Sequence, residues 1–271
     1  MKLIRYLKTD FNRLITSWQF YGGIVGVSFL YLLAGLQLGY VSDVYSTYLF
    51  NGYYSTVILG YAFCAVPFSG CLIEDGEHDY WILQIQKGSL KEYVRSKVLT
   101  CFISGVLTMV FGVLLFALIL WLRVPLFRDS VNMDYIREAD SFGFLIYPQT
   151  IMLYFACSAG VNGMLGGIFA AISAYLSLYE PHRILTISAP LAGFYFLENF
   201  LLGTLHLPEY FNIWVIYGAG FSMFGNTLLN VIYALGIAIF FLWTVEKLMC
   251  RKLRGEICEI RTKTKNIRSS K

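Results

Sequence analysis

Charge is what this sequence has least of. Only 14% of its 271 residues are Asp, Glu, Lys or Arg, and 57% are hydrophobic, where a soluble domain carries about a quarter charged residues. That balance excludes an ordinary solvated surface and points to an integral membrane protein. Histidine is nearly absent. His78, His182 and His206 fall in three separate connecting segments, so their spacing assembles no metal site. No G-x-x-x-x-G-K-[ST] loop is present, which leaves the chain without a P-loop of its own for ATP. Cysteine gives no secreted framework: Cys64, Cys71, Cys101 and Cys157 sit in apolar runs, and Cys250 and Cys258 in a basic tail. Structural disulfides are therefore not expected, and Cys64 and Cys71, on one helix face, read as packing residues rather than metal ligands. Ser222, beside Gly220 in a glycine-rich break, lacks a histidine at its depth to act as base, which excludes an intramembrane serine hydrolase.

What is there is a series of long uncharged runs. Residues 1–19 form a basic amphipathic helix: Leu3, Leu7, Phe11, Leu14 and Trp18 recur at helical spacing, with Lys2, Arg5, Lys8 and Arg13 elsewhere on the wheel. Such a helix lies along an anionic membrane face and is not a cleavable signal peptide. Six spans are expected at about residues 20–39, 55–73, 98–122, 149–177, 184–202 and 227–245, the second and fifth kinked at Pro67 and Pro190. The first two are separated by a Tyr-rich loop around Asp43. The fourth carries a small-residue stripe, Ala159, Gly163, Gly167 and Ala171, suited to close packing. The uncharged stretch from Tyr210 to Val245 is too short for two spans, so a partial or interfacial outer helix is expected before the sixth. The whole is one all-α transmembrane domain, residues 1–245, followed by a basic tail, 246–271, expected to fray.

Lys and Arg are divided unevenly by this scheme. Four lie in the N-terminal helix, four in residues 74–97, one at Arg183 and nine in the tail; the other side keeps Arg123, Arg128 and Arg137. Both termini and the 74–97 segment are thus expected in the cytoplasm. Bases that follow membrane sidedness meet anionic lipid, and no nucleic-acid partner is expected. The sole ionisable residue within a span is Glu198, beside Asn199 near the outer end of the fifth. It reads as an interfacial carboxylate reaching water, with a cargo or proton path as the other reading.

Residues 74–97 are a charged island between two apolar runs. Asp79 is placed to N-cap a two-turn helix through Tyr80, Trp81, Leu83 and Gln84, which Lys87 and Gly88 close. Ser89 and Glu92 have capping-box spacing and open the next helix. Tyr80, Trp81 and Leu83 look exposed and suited to touching another protein, though a headgroup-lying connector would use the same residues.

The layout resembles the membrane-spanning subunit of ABC-2 type (type V) ABC exporters. At residue level the resemblance lies in the run from Val66 to Asp75 (VPFSGCLIED), in Gly88 to Tyr93 (GSLKEY) and in Lys97 entering the third span. It implies that residues 79–88 are a coupling helix seated in a groove of a separately encoded P-loop ATPase, which holds ATP and Mg. It further implies a connecting helix at residues 1–17, outer re-entrant helices at 206–224, a second permease copy or paralogue, and a bacterial plasma membrane. An apolar, aromatic interior suits amphipathic, peptide or lipid-like cargo. Outside the resemblance, two classes stay open: a non-transporting immunity or scaffold protein, and a secondary transporter.

Overall fold

The computed structural model describes residues 2–37, 42–51, 55–77, 80–81, 89–128, 133–180, 182–196, 198, 208–218 and 222–269. Among these residues all regular structure is helical. Helix α1 (Lys2–Thr16) turns at Ser17 into α2 (Trp18–Gln37). The Ser17 hydroxyl accepts the Gln19 N–H at 3.2 Å, as a helix start requires. Where a Tyr-rich loop was expected, α3 (Val44–Asn51) forms instead. Asp43 does not interrupt the chain: its Oδ1 accepts the Ser46 N–H at 2.6 Å and caps the helix.

The expected second span is two helices, α4 (Ser55–Ala65) and α5 (Cys71–Glu77), joined by turns at 66–70. Pro67 explains the break, because it has no N–H to give and disfavours a helical residue before it. Helix α6 (Leu90–Trp121) begins where its cap dictates: Ser89 accepts the Glu92 N–H at 3.2 Å and donates to the Glu92 carboxylate at 2.8 Å. After α7 (Met133–Ala139) and a 3₁₀ turn at Gly143–Leu145 come α8 (Ile151–Leu176) and α9 (Arg183–Phe196), with Pro190 inside α9. A 3₁₀ turn at Glu209–Phe211 and the short α10 (Ile213–Tyr217) precede α11 (Thr227–Ser269). The tail does not fray but continues α11 as helix to Ser269, for a total of 43 residues.

Among the described residues, four helices are long and apolar enough to cross a membrane: α2, α6, α8 and the Thr227–Gly255 part of α11. That is compatible with a membrane protein. The 11 residues of α4 and the 14 of α9 fall short of the roughly 20 a straight crossing needs.

The core has two clusters. The first, here called distal, gathers Tyr31, Tyr45, Tyr48, Phe116, Tyr154 and Phe155, stacked and edge-on at 5.4–6.4 Å. The second, basal, cluster gathers Leu14 of α1 with Leu72, Trp81, Tyr93, Met249 and Leu253. The most extensive helix pairing is α6 on α8. A methyl group on Gly105 would stand 2.7 Å from the Gly167 Cα, and one on Gly167 would stand 2.6 Å from the Phe102 carbonyl. The backbones therefore touch where the small-residue stripe was read, and dispersion between them does what hydrophobicity cannot do in lipid.

Candidate functional site

At the basal end a lysine is withdrawn from solvent. Lys97 is 1% exposed; its Nζ donates to Asp10 Oδ1 at 2.7 Å and lies 2.9 Å from Asp75 Oδ2. The ammonium also stands 5.4 Å from the ring centroids of Phe68 and Tyr93. Asp75 further accepts from Arg13 Nη1 at 2.6 Å and from the Tyr93 hydroxyl at 2.7 Å. The other arm of Arg13 donates to Glu74 at 2.5 Å, and the Ser96 hydroxyl donates to Asp10 Oδ2 at 2.6 Å.

The helical period builds this knot from three short pieces. Asp10 and Arg13 are three apart on α1, Glu74 and Asp75 lie on α5, and Tyr93 and Lys97 are four apart on α6. The first and last pairs each share one helix face, and those faces meet at the adjacent carboxylates of α5. Burial by itself would raise the Asp75 pKa, but Lys97, Arg13 and Tyr93 outweigh it and hold the carboxyl below its ordinary range. Arg13 is held above its ordinary value in turn, its burial outweighed by Asp75 and Glu74. Three carboxylates thus face two cations, and the arrangement fixes α1 to both α5 and α6. On α1, Asp10 and Leu14 are buried while Phe11 is exposed.

The predicted coupling residues are only partly visible. Tyr80 is 38% exposed, but Trp81 is 9% exposed and belongs to the basal cluster, so the expectation of an exposed Trp81 is corrected. Its indole lines a cavity of about 180 Å³ with Tyr93, Leu178 and Leu253, which offer more apolar contact than the surface does. Asp79, Leu83, Gln84, Lys87 and Gly88 lie outside the described residues. Glu198 is partly buried just beyond α9, and Asn199 lies outside the described residues.

A further buried carboxylate, Asp140, missed by sequence reading as a site residue, lies at the distal end. Asp140 accepts the Tyr154 hydroxyl and the Phe142 N–H, each at 2.7 Å. Burial pushes its carboxyl above the ordinary range despite these bonds, and among the described residues no cation pairs with it. A water-sized void of about 20 Å³ lies beside it, lined also by Ser158 and Asn230. The Asn230 amide donates to Ser141 and Ser222, which gives Ser222 a structural partner. Some in-span polar groups are satisfied locally, as where Tyr61 donates to Asn162 at 2.6 Å, whereas the buried hydroxyls of Ser28 and Ser173 have no hydrogen-bond partner among the described residues.

Against known proteins, no family model matches the chain, and neither a curated protein nor a solved structure matches it significantly.

Proposed function

We propose that this chain is the membrane-spanning subunit of an ATP-driven exporter of the ABC-2 type. It works as a dimer with separately encoded P-loop ATPases and moves amphipathic, peptide or lipid-like cargo outward. Six segments cross a bacterial plasma membrane with both termini in the cytoplasm, α4 to α5 and α9 making the two irregular crossings. The observation that carries this reading is the basal knot. Asp75, Tyr93 and Lys97, which carry the resemblance in sequence, converge on Asp10 and Arg13 of the amphipathic helix.

The mechanism follows from that connection. An ATPase seated against residues 79–88 has no rigid path into the bilayer unless both ends of that segment are anchored. Asp75 anchors the entry and Lys97 the exit, on a common set of charges. Closure of the ATPase pair then shifts α1, α5 and α6 together and biases the membrane dimer between two states. ATP and Mg stay in the partner.

The test is purification of a tagged copy from its own membranes in mild detergent. A P-loop ATPase should co-purify, and Tyr80→Ala with Leu83→Ala should release it while the permease still elutes as a single folded species. A folded chain with no nucleotide-binding partner would move the reading to an immunity or scaffold protein. Proton- or sodium-driven uptake lost in Glu198→Gln would move it to a secondary transporter.

A further inference from the structure

We propose that the groove between the start of α6 and the basal half of α11 binds the phosphate headgroup of an anionic phospholipid. The groove encloses about 610 Å³, with Lys91 on one wall, Lys247, Arg251 and Arg254 on the other, and Leu90 and Cys250 between them. Lys247, Arg251 and Arg254 follow the i, i+4, i+7 pattern of a single helix face. Glu246, the one acid on the lining, is already paired with Arg95 at 3.1 Å. Among the described residues, no carboxylate lies within ion-pair distance of the four cations. Four like charges around one groove repel each other, and a phosphate removes that repulsion. The capped first turn of α6 opens on the same space and adds the positive end of a 32-residue helix.

A lipid, rather than a free anion, is indicated by what continues from the cations. Leu228, Ile232, Leu235, Ile239 and Trp243 run up α11 in one slowly drifting stripe that leads into Lys247, Arg251 and Arg254. All five are exposed, and only 17% of the most apolar window of this helix is buried, against 67% for α8. Lys247 lies 3.5 Å from the ring centroid of Trp243, an aromatic–cation pair suited to headgroup level. Upward from the groove is room for an acyl chain; at the groove is charge for a phosphate. An acidic protein segment would match the second and leave the first uncovered.

This inference rests on the apolar helices lying in a bilayer and not on an ATPase partner, so either can fail without the other. The experiment is native mass spectrometry of the full chain in non-ionic detergent, titrated with phosphatidylglycerol or phosphatidylcholine and challenged with inorganic phosphate. Phosphatidylglycerol should be retained in preference to phosphatidylcholine. Each cation changed to Gln should weaken it about fivefold, and Lys247→Gln, Arg251→Gln and Arg254→Gln together on the order of a hundredfold. Arg251→Lys with Arg254→Lys should keep most of the retention. If the triple variant does not fold, Lys91→Gln, an exposed change on the opposite wall, reads the same site alone. Equal retention of both lipids, or full retention by the variants, overturns the proposal. So does displacement by millimolar phosphate, which would make the groove a free-anion site, or a lipid-free dimer, which would mean that a second copy covers the stripe.

Discussion

Asp75, at the basal end, faces Lys97 at 2.9 Å and Arg13 at 2.6 Å, whereas Asp140, at the distal end, accepts among the described residues from a tyrosine hydroxyl and a backbone amide. Both carboxyl groups are buried. Cations make the charged form the comfortable one at Asp75. Neutral donors do not offset burial at Asp140, and its proton is held more tightly than usual. One end of the bundle is therefore built on compensated charge and the other on dipoles. The first ties together elements far apart in sequence, and the second organises aromatic packing around a single loop.

The largest break in this symmetry should come from Lys97→Met. Removing the ammonium strands Asp10 and Asp75 in the interior, a loss of about 3–5 kcal/mol. Denaturant unfolding in detergent should show it, and Asp75→Asn added to Lys97→Met should restore part. Unchanged stability in the single variant would mean that the basal charges are not truly compensated.

Acidification should separate the two ends without mutation. Because the Asp75 pKa is lowered, its contribution is present above the ordinary carboxylate pKa of about 4 and is lost as pH falls through the folded value. Because the Asp140 pKa is raised, its contribution is complete below about 4 and is lost as pH rises through the folded value. Hydrogen exchange on acidification below about pH 4 should thus loosen the start of α6 while residues 140–154 stay protected. Simultaneous loosening would contradict the contrast.

A smaller effect is expected from Tyr154→Phe, about 1–2 kcal/mol, since it deprives one oxygen of Asp140 of its donor. The smallest belongs to Asp140→Asn. A neutral amide still accepts one of the two hydrogen bonds, so thermal stability should change by less than about 1 kcal/mol, in contrast to the same change at Asp75.

Local rules made much of this legible in advance. The Ser89–Glu92 cap set the start of α6, the small-residue stripe foretold close packing of α8 on another helix without naming it, and the uncharged runs gave the apolar helices. What escaped depends on partners distant in the chain. Asp10 is the one acid before Asp43, and it reads as a stray charge on a basic wheel until Lys97 stands opposite. That pairing, together with Leu14 in the basal cluster, sets which face of α1 turns inward. Trp81 was read as exposed because its short apolar run lies within the charged segment 74–97, while in space it meets Tyr93 and Leu253. The continuation of α11 to Ser269 was missed because a run of bases looks like a fraying tail, although Lys, Arg and Glu are good helix formers.

The glycine contact between α6 and α8 has a mechanical meaning. Two helices meeting backbone to backbone cannot slide past each other by a fraction of a turn, because any residue larger than glycine arriving at the seam collides with main chain. The pair behaves as one girder. If the bundle moves as proposed, the motion would fall on the joints: the turns around Pro67 between α4 and α5, and the proline-bearing α9.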